Sequence, residues 1–91
     1  MKTIKAIVSG KVQGVGYRMA TRDRATQLNV RGYVQNLSNG NVKIIALGED
    51  SSVNSLIEWA KSGPSSAVVE RVETEVVSDR VEEFTDFIIR S

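Results

Sequence analysis

The sequence predicts an α+β fold in which two helices pack on one face of an antiparallel sheet. Three observations carry that expectation. Apolar and polar residues alternate with a period of two near the N-terminus, an apolar stripe recurs at the helical period in residues 50–61, and an Asn-Gly pair separates two short apolar runs between them. A chain of 91 residues has room for one core, so a single domain spanning 1–91 is expected.

Residues 2–12 place Ile4, Ala6, Val8, Gly10 and Val12 on one face and Thr3, Lys5, Ser9 and Lys11 on the other, a half-buried strand with Ile7 out of pattern. Gln13-Gly14-Val15-Gly16 follows as a glycine-rich turn. Residues 17–28 read as a helix whose thin apolar side is Tyr17, Ala20 and Leu28, with Arg22, Asp23 and Arg24 exposed, and Asn29 suits a left-handed stop. Strands at 30–37 and 42–48 flank Ser38-Asn39-Gly40-Asn41, a hairpin signal. The second helix, 50–61, sets Val53, Leu56, Ile57 and Ala60 at i, i+3, i+4 and i+7, with Asp50 or Ser51 to cap it and Gly63-Pro64 to end it. A strand at 67–77 alternates Val68, Val72, Thr74 and Val76 against Val69, Arg71, Glu73 and Glu75, and a short one near 84–90 turns Phe87 and Ile89 inward. The order β-α-β-β-α-β with a terminal extension makes a ferredoxin-like sandwich. Many functions use that architecture, so function has to be read from particular residues.

Composition narrows the chemistry. The chain is 41% hydrophobic and 25% charged, as an ordinary globular protein is. Its apolar runs are too short to cross a membrane, and the charged N-terminus leads into no apolar stretch of the kind a signal peptide needs, so a cytoplasmic protein is expected. It contains no Cys and no His, which excludes thiolate nucleophiles, disulfides, imidazole bases and Cys or His metal ligands. Residues 1–48 carry eight basic side chains against one acidic, a net +7, and residues 49–91 carry four against ten, a net −6. Two readings stand: an anion-facing end, or a fold that interleaves the halves and cancels them.

Two segments are candidates for chemistry. In Gly10-Lys11-Val12-Gln13-Gly14-Val15-Gly16-Tyr17-Arg18, glycines at a strand-to-helix turn let backbone N–H groups converge, a helix N-terminus adds the positive end of its dipole, and Arg18 offers a planar fork to two oxygens. These parts suit a phosphate-sized dianion. The segment matches neither the Walker pattern, which ends in Gly-Lys-Ser/Thr, nor the dinucleotide fingerprint, whose glycine spacing differs. Taken alone, such a turn serves structure more often than anion binding. In Gly32-Tyr33-Val34-Gln35-Asn36, the Asn36 amide could hold a water in one orientation, though an asparagine just before a turn is commonly a turn residue.

Together, and with Asn39-Gly40 after them, these segments resemble the acylphosphatases. The resemblance spans nearly the whole chain, including the order of elements and the Gly63-Pro64 break. It implies an enzyme that hydrolyses carboxyl-phosphate mixed anhydrides to a carboxylate and phosphate, with Arg18 and the amides of Gln13, Gly14, Val15, Gly16, Tyr17 and Arg18 binding the phosphoryl oxygens and Asn36 orienting the attacking water. Inorganic phosphate and sulfate should compete for that site, and a monomer is expected. Three positions depart from the family pattern: Tyr17 for a commoner phenylalanine, Asn39 for aspartate, and Leu37 for a frequent threonine. The implied mechanism fits the composition, because a carboxylate leaves without general-acid help and phosphoryl transfer depends on positioning and charge stabilisation. No cofactor is required, and no local carboxylate cluster has the look of a metal site, Glu82-Glu83 being more simply a solvated pair.

The chief alternative is a nucleic-acid-binding module of the same architecture. Arg31-Gly32-Tyr33 opens like an aromatic RNA-recognition signature, but Val34-Gln35-Asn36 does not continue it, and residues 42–48 hold no aromatic for stacking. An accessory domain cut from a larger protein is the other. The span from Met1 to Ser91 reads as a complete domain, which argues against it.

Overall fold

The computed structural model describes residues 1–77 and 84–90. Its elements are β1 (Lys2–Lys11), α1 (Tyr17–Gln27), β2 (Arg31–Asn36), β3 (Val42–Gly48), α2 (Asp50–Ala60), β4 (Val68–Val76) and β5 (Phe87–Arg90). Glu82 and Glu83 lie outside the described residues. Among the described residues, no helix is long and apolar enough to cross a membrane.

The strands form one sheet in the order β4-β1-β3-β2-β5. Four of them pair antiparallel, as expected: β1 with β3 from Lys2↔Gly48 to Val8↔Val42, β1 with β4, and β2 with β3 from Arg31↔Leu47 to Asn36↔Val42. The terminal extension departs from the expectation. β5 runs parallel to β2, with Gly32 opposite Phe87 and Val34 opposite Ile89, so the sheet is mixed. Alternation of Phe87 and Ile89 tells which face a strand buries but is identical for either direction, and only the path of the chain decides it.

Both helices cover the face made by the even-numbered residues of β1. Ile4, Ala6, Val8 and Val12 meet Val34, Val42, Ile44 and Ala46 from the sheet and Val53, Leu56 and Ala60 from α2 in one core. Fully burying each valine, leucine or isoleucine among them contributes roughly 1.5–3 kcal/mol. On the other face a small cluster, Tyr33, Ile45 and Leu47, is covered by Phe84.

Three local details correct the sequence reading. The inward stripe of α1 is Tyr17, Thr21 and Ala25 with Leu28 beside them, whereas Ala20 is only half-buried. Thr21 is fully buried because its hydroxyl donates to the Tyr17 carbonyl, 2.7 Å away within the same helix, which is why the stripe looks thin in sequence. At α2 the cap position is Glu49, with no side-chain capping bond, and Asp50 is the first helical residue, favourable beside the helix's positive end. In β4 a bulge opposite Ser9/Gly10 resets the alternation, so Val69 packs on the core while Val68 is 58% exposed. The left-handed stop at Asn29 is present, with φ of 58°.

Candidate active site

The loop between β1 and α1 is shaped by two glycines. Gly14 (φ 75°) and Gly16 (φ 77°) both lie in the left-handed region, and a Cβ at either would meet nothing within 4 Å, so conformation rather than space demands glycine there. Gly16 also caps α1, without a side-chain capping bond. Among the described residues, the N–H groups of Gln13 through Arg18 find no protein acceptor. Those of Tyr17 and Arg18 are among the donors that any helix leaves free at its first turn, where the dipole is positive. The first turn contains no acidic residue. Arg18 stands in it, and among the described residues its guanidinium has no hydrogen-bond or ion-pair partner. A run of unpaired donors next to a free guanidinium suits a tetrahedral anion.

The loop is held from three sides. Gln13 Nε2 donates to the carbonyls of Leu37 and Asn41, each at 2.8 Å. Ser66 Oγ donates to the Val15 carbonyl at 3.0 Å. Tyr17 buries its ring against Trp59, centroids 5.8 Å apart, and donates its hydroxyl to the Ala60 carbonyl at 2.7 Å. Burial pushes the Tyr17 phenol well above its ordinary 10.0, so it stays a neutral donor.

Asn36 is the last residue of β2, paired with Val42. Its Oδ1 is buried and has no hydrogen-bond donor among the described residues. A buried acceptor left unpaired costs about 1–3 kcal/mol, so its retention calls for a role.

A cleft of about 160 Å³ brings the two segments together: Gly14, Gly16, Tyr17, Arg18 and Asn36 line it along with Val12, Met19 and Ile89. Gln13 and Val15 are off its wall, the first turned to the hairpin, the second half-buried against the core. Tyr17 lines the cleft although its ring packs against Trp59 and is almost fully buried. Ser66, Met19 and Ile89 escaped the sequence reading. Ile89 was visible only as an inward strand residue, while Ser66 sits in a Gly-Pro-Ser-Ser run that reads as plain loop. A larger cleft of about 240 Å³, lined by Thr26, Asn29, Arg31 and Asp86 among others, shares no wall with this one.

The aromatic residue that suggested nucleic-acid binding is unsuited to it. Tyr33 is only 8% exposed, with the Arg90 guanidinium 4.6 Å and the Lys43 ammonium 5.5 Å from its ring centre and Phe84 alongside. It offers no open face on which a base could stack.

Comparison with known proteins agrees with the geometry. Residues 4–89 match the acylphosphatase family model. An acylphosphatase of Acaryochloris marina is 50% identical over 72 residues, 79% of this chain and 77% of the relative. The structure of an acylphosphatase from Coxiella burnetii superposes with a TM-score of 0.91 at 43% identity, covering 98% of this chain and 92% of that one. The acylphosphatase from Bacillus subtilis gives 0.93 at 30% identity over the full length of both. With the family model matched over residues 4–89 and relatives alike in sequence and fold along nearly its whole length, the chain belongs to the acylphosphatase family.

Proposed function

We propose that this acylphosphatase works by direct, in-line attack of a water oriented by Asn36 on a phosphoryl group held by Arg18 and the amides of residues 13–18. The observation that carries the proposal is the Asn36 Oδ1, a buried acceptor without a donor among the described residues, on the wall that Arg18 shares. Accepting a hydrogen from water at that atom turns an oxygen lone pair toward the phosphorus. Asn36 is too weak a base to take the proton. It does not need to, because in a loose transition state the attacking water forms little bond until late and its proton can pass to a phosphoryl oxygen.

The water oxygen forms a bond to phosphorus while the bond from phosphorus to the bridging oxygen breaks. The electron pair leaves with the carboxylate, a weak base that needs no acid. Charge accumulating on the phosphoryl oxygens is met by Arg18, whose fork can take two of them, and by amides that are already in place. We infer that this single-domain enzyme acts as a cytoplasmic monomer on a small-molecule acyl phosphate, with no metal and no cofactor. The cradle carries its own positive charge, and the chain lacks the His and Cys residues that bind transition metals.

A hydrolysis assay on acetyl phosphate beside an ordinary phosphomonoester tests the proposal. Rapid hydrolysis of the first and negligible hydrolysis of the second is the expected result, since an alkoxide leaving group would need an acid that this cleft does not supply. Equal rates on both would overturn it.

A further inference from the structure

We propose that Gln13 is a positioning residue that sets the phosphate cradle in register with Asn36. The inference rests on the division of roles proposed above. Gln13 opens the glycine-rich loop, yet its side chain is turned away from the cleft. Its amide has two hydrogens and both are used, one on the carbonyl of Leu37 and one on that of Asn41, each at 2.8 Å. Leu37 is the residue after Asn36, and its own N–H donates to the Asn41 carbonyl at 2.8 Å, while Gly40 N–H donates to Leu37 O at 3.2 Å. The bridge therefore ends on the closed tip of the β2–β3 hairpin, one residue from the water-orienting amide.

Among the described residues, no other side-chain hydrogen bond joins residues 13–18 to the hairpin. Ser66 holds Val15 from the direction of β4, and Gly14 and Gly16 have no side chains with which to pack. The phosphoryl contacts travel with the loop and with α1, whereas Asn36 travels with β2. Cutting the bridge leaves every proposed phosphate contact intact and loosens only the alignment between bound phosphorus and held water.

That separation predicts a specific kinetic signature. Gln13→Met keeps the bulk of the side chain and removes both donors, and Gln13→Asn keeps the donors but withdraws them by about one carbon–carbon bond. Each should lower kcat on acetyl phosphate about 10- to 100-fold, the scale on which a misplacement near 1 Å acts. The inhibition constant for inorganic phosphate should stay within about threefold of wild type, because only the transition state needs the alignment. In an Asn36→Ala background the Gln13 variants should cost almost nothing further, since there is no oriented water left to align, and this non-additivity is what a purely structural role would not give.

Thermal melts accompany each variant. Should both Gln13 variants fail to fold, the wild-type protein still decides the matter: in NMR, the Gln13 side-chain amide hydrogens must exchange with solvent much more slowly than those of Gln27, an exposed residue of α1. Rapid exchange at Gln13 would overturn the proposal. So would full activity in the folded variants, loss of phosphate binding in step with kcat, or an undiminished effect in the Asn36→Ala background. If Asn36→Ala itself retained activity, the role assigned to Asn36 would fall first, and the two failures would be told apart.

Discussion

Tyr17, the first residue of α1, donates its buried hydroxyl to the carbonyl of Ala60, the last residue of α2, across 2.7 Å. That carbonyl is one of the four that a helix C-terminus leaves without an intrahelical partner. One side chain therefore satisfies the end of one helix and anchors the start of the other, where the glycine-rich loop ends. A phenylalanine here could fill the core but could not make the bond.

Tyr17→Phe should destabilise the fold by about 1–3 kcal/mol, the cost of stranding a buried acceptor, and lower Tm by about 4–8 °C per kcal/mol in a domain this small. The variant should also change the response to alkali. Burial raises the phenol in the folded chain above the 10.0 it has when exposed, so the unfolded chain releases this proton first. The stabilisation from the neutral hydroxyl is complete below pH 10 and is lost as the pH climbs above it. Melts of both proteins between pH 8 and pH 11 should show the gap between them closing above pH 10; a constant gap would mean that the hydroxyl is not held as described.

Two glycines should behave in opposite ways. A Cβ on Gly32 would collide with the Ile45 carbonyl oxygen and sit 2.9 Å from its carbon, both backbone atoms of the adjacent strand that cannot move aside. Gly32→Ala should therefore fail to give a cooperative melt at 25 °C. Gly16→Ala meets open space and should cost only the roughly 1–2 kcal/mol of holding a non-glycine residue in the left-handed region. Its folded form should bind phosphate more weakly, since relaxing φ at residue 16 turns the amides beside it.

Most of this architecture is legible in the residues because burial leaves a period. The alternation in β1, the stripe of α2 and the Asn39-Gly40 turn all reflect local geometry that a single segment suffices to specify. What was not legible depends on partners elsewhere in the chain. The direction of β5 is set by the path leading to it, and the phase of β4 changes at a bulge opposite Gly10. Thr21 looks polar until its hydroxyl is seen closing on its own helix. At the site, Arg18 and the glycines declared themselves through a dense motif, and Asn36 gained its reading only beside them. Ser66 left no trace, because one hydroxyl reaching a carbonyl 51 residues away has no sequence period.

Activity on acetyl phosphate should survive a strong chelator unchanged, because the proposed mechanism draws the positive charge that meets the phosphoryl oxygens from Arg18 and backbone amides. Loss of activity on chelation, restored by magnesium, would show that the cradle alone is insufficient. Inorganic phosphate and sulfate should both inhibit competitively, raising KM and leaving kcat alone, since each matches the tetrahedral anion the loop suits. Inhibition that lowers kcat without raising KM would place the anion at another site.

The strongest contrast is between the two residues at the centre of the cleft. In the mechanism we propose, Arg18 meets phosphoryl oxygens both before and during transfer, so Arg18→Ala should weaken phosphate inhibition and nearly abolish turnover. Arg18→Lys should also fail badly, because an ammonium cannot replace a planar two-pronged donor. In the same proposal Asn36 acts on the water, an interaction realised mainly in the transition state. Asn36→Ala should thus lower kcat by about 10²–10³, the usual cost of one lost transition-state hydrogen bond, while phosphate inhibits with nearly its normal constant. It should also be no less stable than wild type, because it deletes a buried acceptor that has no donor among the described residues. Kinetics and melts on the same preparations separate these effects. Near-normal turnover in Asn36→Ala, or loss of phosphate binding as complete as in Arg18→Ala, would show that the two side chains do not divide the reaction between anion and nucleophile.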